Sequence, residues 1–322
     1  LTKSHKEKEP FIGGHEAVGF IENEKYIKRR YALLPHSNCI TRGDSDPCTF
    51  CISGKENLCK KMQHAGLDKN TPSGFTNKML VQRSQLFDVT ELDSELALFL
   101  EPLSCVIRSW SITQAAIEEG MKTINIIGGG PIGCLHAFYL NKKNKSNKIN
   151  IIEASSDKRD ILENIFKYND NIKIKDNSFH IPGEVSVMAA SNSTAFSNAI
   201  KLTKRDGLLI LFSGFNQKSF KEKNFLPEIL HRNEFKHFYE DKILVGSSGY
   251  TADNLISSKI NLMNFEELKR IITGKVFGLD SKTVLRYDGT TERYREPVLV
   301  LDIKEKLNNH IKIHYYNNGD LS

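Results

Sequence analysis

Four of the six cysteines lie close together in the chain, with a spacing typical of metal ligands. Cys48 and Cys51 are separated by two residues, which lets both sulfurs bind one ion. Four thiolates complete a tetrahedral zinc site with no open position, so such a site is structural and not catalytic. Free thiols, or a redox pair at Cys48 and Cys51, are the alternatives. The predicted structural zinc ligands are Cys39, Cys48, Cys51 and Cys59.

A histidine and two carboxylates form a second set of candidate ligands. His15 and Glu16 stand side by side between glycines and a strand-like run, and neutral imidazole and carboxylate both bind zinc. Taken by itself, this pair fits hydrogen bonding at a strand edge better than metal binding. Glu101 precedes Pro102, which favours the first turn of a helix. A carboxylate there either stabilises the helix dipole, the simpler interpretation, or belongs to a metal site.

A glycine motif follows the short apolar run Ile124–Ile127, which is predicted to be a buried strand. Its first glycine allows a tight turn, its second lets the backbone approach a diphosphate, and its third lets helix and strand pack closely. The helix that follows presents free N–H groups to the phosphates. A glycine-rich turn in another kind of α/β protein is the alternative. The predicted cofactor-binding residues are Gly128, Gly130, Pro131, Ile132 and Gly133.

An acidic residue ends the next predicted strand. Glu153 lies twenty residues after Gly133. A carboxylate at this point accepts hydrogen bonds from a ribose 2′-hydroxyl and repels a 2′-phosphate, so NAD is predicted in preference to NADP. Lys158 and Arg159 follow at the predicted start of a helix. There they either lie against the adenine or the ribose, or face solvent.

Three further apolar runs are predicted strands, at Val185–Ala190, Leu208–Phe212 and Ile243–Val245. A predicted helix, Ala195–Thr203, and a turn, Arg205–Gly207, lie between the first two. Strands that alternate with helices indicate a doubly wound parallel sheet, which binds ligands at the carboxyl ends of its strands. The residues expected to line the nicotinamide side are Ser191, Phe212, Ser213 and Ser247. The tail is predicted to contain one helix and two strands, at Phe265–Ile272, Pro297–Ile303 and His310–Tyr316.

The composition is that of an ordinary globular protein long enough for about two domains. The chain has 322 residues, of which 39% are hydrophobic and 26% are charged. Its net charge of +6 is mild and spread along the chain, so nucleic-acid binding is not expected. No apolar run approaches the ~20 residues of a membrane span, and the polar start Leu1–Pro10 is unlike a signal peptide. With the clustered cysteines, these features predict a cytoplasmic protein that does not bind membranes.

In this order, the motifs resemble those of the zinc-dependent medium-chain dehydrogenase/reductase family, especially its sorbitol, threonine and polyol dehydrogenase branch. The resemblance covers the chain from about residue 11 to about residue 270. The matching segments are Gly14-His15-Glu16, the cysteine cluster ending in Asn57-Leu58-Cys59, Glu101-Pro102-Leu103, Gly128–Gly133 and Glu153–Arg159.

The resemblance implies a Rossmann NAD-binding domain, residues 105–252, inserted into a GroES-like, mostly β catalytic domain, residues 1–104 and 253–322. It implies a catalytic zinc held by His15, Glu16 and Glu101 together with a cysteine, in a cleft between the domains. The implied reaction is hydride transfer between NAD and a secondary alcohol or ketone of a polyol, sugar or amino alcohol. Members of the family are usually homodimers or homotetramers.

The chain departs from the family pattern at three places. The family's cysteine ligand lies well upstream of the motif histidine, and here only fourteen residues precede His15. We therefore expect either that the N-terminal part of the catalytic domain is missing from this chain or that the catalytic zinc lacks a ligand. The segment Glu22–Ala32 is shorter than in the family, and residues after Gly278 depart from the family's usual closing pattern. No particular substrate within the class is therefore predicted. The alternative function is a catalytically inactive member that binds nucleotide and structural zinc as a sensing or structural protein.

Overall fold

The computed structural model describes residues 14–21, 29–66, 68, 71, 74, 79–113, 122–213, 234–277, 283–286, 299–302 and 312–316. The chain divides into two compact units. One comprises Leu1–Ser104 with Thr251–Ser322, and the other comprises Cys105–Tyr250. In the part of the chain that is described, no helix has the length and apolar character needed to cross a membrane.

The N-terminal part of the first unit is rich in short strands. They are β1 (Val18–Phe20), β2 (Arg30–Leu33), β3 (His36–Ser37), β4 (Gln63–His64) and β5 (Leu86–Asp88). β2 lies between β1 and β5 in an antiparallel sheet, and β3 pairs with β4. The helices are α1 (Cys39–Arg42), α2 (Thr49–Ile52), α3 (Ser94–Ala97) and α4 (Leu100–Ser111).

The second unit is built on a seven-stranded sheet. Its strands are β6 (Thr123–Ile127), β7 (Lys148–Ile152), β8 (Ile172–Lys175), β9 (Gly183–Met188), β10 (Thr203–Leu211), β11 (Phe235–Tyr239) and β12 (Lys242–Gly246). Their order is β11-β12-β10-β9-β6-β7-β8, and all pairs are parallel except β11 with β12. Ile124, Ile126 and Ile149 are fully buried, as expected for strands covered on both faces. The predicted Rossmann fold with a β-rich second domain is confirmed.

The helices of this unit begin at recognisable signals in the sequence. They are α5 (Pro131–Lys143), α6 (Ser156–Phe166) and α7 (Ser193–Lys201). Proline occupies the first position of α5, where no helical N–H is required. Ser155 caps α6 and Asn192 caps α7, each by accepting a hydrogen bond from a backbone N–H of the first turn.

Two local predictions were wrong in detail. Arg205–Gly207 is not a separate turn but lies inside β10, where the register shifts between Thr203 and Leu208. Asp206 adopts a φ of 57°, which an aspartate tolerates better than most residues. The predicted helix Phe265–Ile272 is a 3₁₀ helix, Glu266–Ile271, because β-branched residues follow and favour an extended chain.

The tail of the chain continues the first unit. Its elements are α8 (Ala252–Leu262), β13 (Ile272–Phe277), β14 (Thr283–Arg286), β15 (Leu299–Asp302) and β16 (Lys312–Tyr316). β13 pairs with β16 and β14 pairs with β15, both in parallel. β15 and β16 lie within the two strands predicted for the tail, and the outer residues of those predictions fall outside the described residues.

Candidate functional site

The predicted glycine motif forms the turn between β6 and α5. Gly128 has a φ of +109°, and a Cβ there would lie 3.0 Å from the Cβ of Ala190. A Cβ on Gly133 would lie 2.0 Å from the carbonyl oxygen of Gly128, so only glycine permits this packing of helix against strand. At Gly130, by contrast, no atom of the described residues, apart from its chain neighbours, lies within 4 Å of the position that a Cβ would take. This open space at the helix start fits a phosphate group.

The first turn of α5 provides the positive end of a helix dipole beside that space. Gly130 is the N-cap residue and supplies no side-chain acceptor for the helix N–H groups. Pro131 and Ile132 then begin the helix, and the fixed φ of proline suits this position. The turn therefore has the chemistry of an anion site, with backbone N–H groups and no competing side chain at the cap.

The carboxylate of Glu153, which follows β7, is hydrogen-bonded to the glycine turn. Its Oε2 accepts a hydrogen bond from the backbone N–H of Gly129 at 2.9 Å, and its Oε1 accepts one from Ser155 at 3.0 Å. A carboxylate has about four acceptor positions, so these two bonds leave capacity for ribose hydroxyls. A side chain on Gly129 would require Leu162 to move, because a Cβ there would lie 2.4 Å from Cδ1 of Leu162.

The two basic residues that follow are arranged differently from each other. The guanidinium of Arg159 donates to the carbonyl oxygens of Glu153 and Ala154, at 3.0 and 2.8 Å. Its donors are therefore directed at the backbone where β7 ends. Lys158 lies in the first turn of α6, and its backbone N–H donates to the capping hydroxyl of Ser155 at 3.4 Å.

The residues predicted to line the nicotinamide side follow the carboxyl ends of β9, β10 and β12. Phe212 and Ser213 come directly after β10, and both backbone N–H groups donate to the carbonyl oxygen of Met188. The Ser213 hydroxyl donates to the same oxygen at 3.2 Å. Ser191 is exposed and Ser247 is half-buried. The parallel sheet thus brings these residues to the edge that also carries the glycine turn.

The four clustered cysteines converge in the first unit. Each stands at or beside the end of a short helical turn. All four sulfurs lie within 4.8 Å of one another. Cys59 Sγ is 3.5 Å from Cys39 Sγ and 3.9 Å from Cys48 Sγ. A zinc tetrahedron with bonds of about 2.3 Å has sulfur–sulfur edges of about 3.8 Å, so the cluster fits zinc.

The wide spacer between the first two cysteines is held by an ion pair. The guanidinium of Arg42 donates to both carboxylate oxygens of Asp44, at 2.7 and 3.2 Å, and to the carbonyl oxygen of Ser37. Hydrogen bonding from Arg42 lowers the pKa of the Asp44 carboxyl. Gly43 ends α1 with a φ of 69°, which reverses the chain within the predicted loop.

The thiols of the cluster are electrostatically unequal. All are free rather than disulfide-bonded. Backbone hydrogen bonding at Cys51 lowers the pKa of Cys48 to about 6, whereas burial raises the pKa of Cys51 to about 12. A bound dication would supply the charge needed to keep all four sulfurs ionised.

The second candidate ligand set also comes together within the first unit. His15, Glu16 and Glu101 each offer a ligand atom, and these atoms lie within 4.8 Å of one another. Glu101 is 9% exposed and lies in the first turn of α4, where the helix dipole favours its negative charge. One nitrogen and two carboxylate oxygens form a donor set that zinc accepts, so these residues fit the ion.

Gly14, which precedes His15, packs against the backbone of two other glycines. Gly14 has a φ of +96° and its carbonyl oxygen accepts a hydrogen bond from Gly74 at 2.8 Å. A Cβ on Gly66 would lie 1.9 Å from that same oxygen. Three glycine backbones therefore meet next to the candidate ligand. Nothing in the local sequence around Gly66 or Gly74 shows that these glycines approach Gly14, so only the structure identifies them.

Two further histidines lie close to this set. The rings of His36 and His64 pack edge to face with centroids 5.1 Å apart. Burial, followed by the nearby charges of His64 and His15, lowers the pKa of His36 to about 3. His64 in turn lies 3.4 Å from a carboxylate oxygen of Asp68. His36 is therefore neutral at physiological pH and adds no positive charge that would oppose a cation.

The chain is similar in sequence to curated sugar-alcohol and diol dehydrogenases. It is 23% identical over 219 residues to D-arabinitol dehydrogenase 1 of Uromyces fabae, covering 64% of this chain and 61% of that protein. It is 23% identical over 257 residues to (R,R)-butanediol dehydrogenase of Saccharomyces cerevisiae, covering 75% of this chain and 62% of that protein. The chain thus spans less than two thirds of the length of these relatives. No family model matches it.

Solved structures show the same fold. The 2R,3R-butanediol dehydrogenase of Bacillus subtilis superimposes with a TM-score of 0.64 at 17% identity, covering 95% of this chain and 80% of that one. Fold and site together define an α/β protein with a glycine turn after the first strand of its parallel sheet and a second, β-rich unit that carries two clusters of candidate metal ligands. The relatives confirm the predicted resemblance to the zinc-dependent medium-chain dehydrogenase/reductase family and its polyol branch.

Proposed function

We propose that this chain is a zinc-dependent oxidoreductase that transfers hydride between NAD and a secondary alcohol or ketone of a polyol, sugar or amino alcohol. The observation that carries the proposal is the convergence of Glu101 with the adjacent residues His15 and Glu16, from which it is distant in the sequence. With the cysteine that the family resemblance implies as a further ligand, exchange of one carboxylate for water would provide the open position that a catalytic zinc needs for a substrate oxygen. The glycine turn and Glu153 supply the features of a dinucleotide site in the other unit.

The chemistry divides between bound groups and the chain. When bound, zinc supplies a Lewis acid that lowers the pKa of a coordinated alcohol, and NAD supplies a hydride acceptor. His15 serves as a ligand only as neutral imidazole. The carboxylates of Glu16 and Glu101 offset the charge of the cation, and the N-terminal end of α4 stabilises Glu101 in its ionised form.

The substrate class is supported by the names of the relatives. Arabinitol and butanediol both carry secondary hydroxyl groups, and the relatives that bear those names match this chain over 64% and 75% of its length. Small alcohols or ketones are therefore the partners that we propose.

NAD rather than NADP is the proposed cofactor because of Glu153. Its carboxylate is fixed by two backbone N–H groups beside the glycine turn, where it would repel a 2′-phosphate. The guanidinium of Arg159 bonds the backbone carbonyls instead. Calorimetric titration with both dinucleotides tests this. Equal or tighter binding of NADP would overturn the preference.

The roles of the two domains are also a proposal. We assign the GroES-like catalytic role to residues 1–104 and 253–322, and the NAD-binding role to residues 105–252. The boundaries between the two compact units, after Ser104 and after Tyr250, support these domain bounds. A cytoplasmic homodimer or homotetramer is proposed on the family resemblance and the free, clustered thiols. Light scattering of the purified protein tests the oligomeric state.

Metal analysis of the complete protein tests the enzyme proposal. We expect about two zinc ions per chain, and one fewer in a His15→Ala variant. We also expect NAD reduction with at least one member of a panel of polyols and secondary alcohols. A protein that holds only the cysteine-bound ion and reduces no NAD across the panel would instead be a nucleotide-binding member without catalytic zinc.

A further inference from the structure

A buried histidine on the phosphate-binding helix has no part in the proposed function. His136 of α5 is 0% exposed. Its Nδ1 accepts a hydrogen bond from the indole N–H of Trp110 at 2.9 Å. Because an indole N–H only donates, Nδ1 must be unprotonated, and the neutral ring carries its proton on Nε2. Burial lowers the pKa of His136 to about 3, in agreement with this assignment.

The imidazole of His136 also packs against an aromatic ring at the carboxyl edge of the sheet. The rings of His136 and Phe212 are perpendicular, with centroids 4.7 Å apart. This is the favoured edge-to-face arrangement of aromatic pairs. Nε2 of His136 makes no hydrogen bond among the described residues. Burying an imidazole whose Nε2 has no hydrogen-bond partner costs free energy that an apolar side chain at this position would not cost. The contacts of His136 with Trp110 and Phe212 therefore need an explanation.

The contacts form a short chain of rings, which we call the aromatic bridge and define as Trp110, His136 and Phe212. Trp110 lies on α4, His136 on the helix that follows the glycine turn, and Phe212 directly after β10. Phe212 is half-buried and its backbone N–H donates to Met188 at 3.3 Å. Its backbone is therefore fixed by the sheet, while its ring is fixed by His136.

We propose that His136 is a positioning residue for the nicotinamide half of the dinucleotide site, because it sets the orientation of the Phe212 ring. This rests on the proposed function, in which the dinucleotide binds at the carboxyl edge of the sheet. His136 itself does not touch the cofactor. The indole N–H of Trp110 fixes the imidazole by donating to Nδ1, whereas the imidazole ring packs against Phe212. The acceptor atom and the ring of His136 therefore have separable roles.

Two substitutions separate these roles. His136→Asn keeps an acceptor for Trp110 but removes the ring edge that packs on Phe212. His136→Phe keeps a ring against Phe212 but leaves the indole N–H without its acceptor. We expect His136→Asn to bind NAD about two- to tenfold more weakly, the range expected from losing one aromatic pair. His136→Phe should bind NAD within about twofold of the unchanged protein.

Calorimetry with NAD measures this without turnover, and fluorescence gives an independent readout because Trp110 is the only tryptophan in the chain. NAD binding should change Trp110 emission in the unchanged protein and much less in His136→Asn. Phe212→Leu should reproduce the weaker binding, and the double variant should be no weaker than either single one, since both remove the same contact. Should His136→Asn fail to fold, Phe212→Leu and His136→Phe still test the proposal.

A matched control lies on the same helix. Phe138 packs on Phe166 of α6, with ring centroids 4.6 Å apart. Phe138→Leu removes an aromatic pair elsewhere on α5 and should leave NAD affinity unchanged. Unchanged affinity in both His136→Asn and Phe212→Leu, with NAD binding intact in the parent protein, would overturn this inference alone. A parent protein that binds neither NAD nor NADP would overturn the proposed function as well.

Discussion

Replacing Gly130 by alanine is expected to weaken dinucleotide binding while leaving the fold intact. Gly130 has a φ of −73° and a ψ of −175°, which alanine adopts without strain. Beyond its chain neighbours, no atom in the described part of the chain lies within 4 Å of the added Cβ. The cost to stability is therefore limited to poorer capping of α5, at most about 1 kcal/mol. The added methyl group would instead occupy the space assigned to the diphosphate.

The expected loss of affinity follows from that geometry. A phosphate held off the turn by one methyl group loses about one hydrogen bond between a backbone N–H and a charged oxygen. Such bonds contribute about 1.5–3 kcal/mol, which corresponds to about ten- to hundredfold weaker binding. Gly133→Ala should behave differently, because its Cβ would lie 2.0 Å from a carbonyl oxygen. That overpacking should destabilise the fold by about 1–3 kcal/mol.

The assay is calorimetric titration with NAD, paired with thermal unfolding of each variant. Gly19→Ala is the control, since Gly19 lies in β1 and, apart from its chain neighbours, no described residue has an atom within 4 Å of an added Cβ. It should change neither affinity nor stability by much. If Gly130→Ala bound NAD as tightly as the parent protein, the open space at the turn would not be the diphosphate site, and the reasoning would fail.

Three further predictions concern pH, zinc and helix capping. The pKa of His136 is lowered from 6.5 to about 3 in the folded state. The unfolded chain therefore binds more protons between these values, and the contribution of His136 is complete above pH 6.5 and is lost as the pH falls towards 3. Below about pH 6, the free energy of unfolding should drop by about 1.4 kcal/mol per pH unit from this group. In urea titrations the total slope should be smaller by about that amount in His136→Phe, which retains the similar contribution of His36. Cys51→Ser should remove about one zinc ion per chain by elemental analysis, whereas Cys105→Ser, outside the cluster, should remove none. Asn192→Ala should lower the unfolding free energy by about 1 kcal/mol, because Asn192 Oδ1 accepts from Ala195 N–H at 2.8 Å, and no change would show that this cap is unimportant.

Much of the second unit was predictable because its signals are local. A strand, three spaced glycines, a helix and a terminal acid each depend on neighbours in the chain, so Gly128, Gly133 and Glu153 appear where the spacing placed them. The zinc-type spacing of the cysteines is local for the same reason. Local propensity was insufficient at the 3₁₀ helix Glu266–Ile271, where the following β-branched residues begin a strand.

The sequence by itself therefore determined the Rossmann sheet, the position of its glycine turn and the identity of both candidate ligand sets. Only the tertiary structure decided that Glu101 lies beside His15, that Gly66 and Gly74 meet Gly14, and that His136 joins Trp110 to Phe212. The physical reason is that these contacts join residues distant in the chain. Burial and close backbone approach create them, and no periodic pattern along the chain records which distant residues will meet.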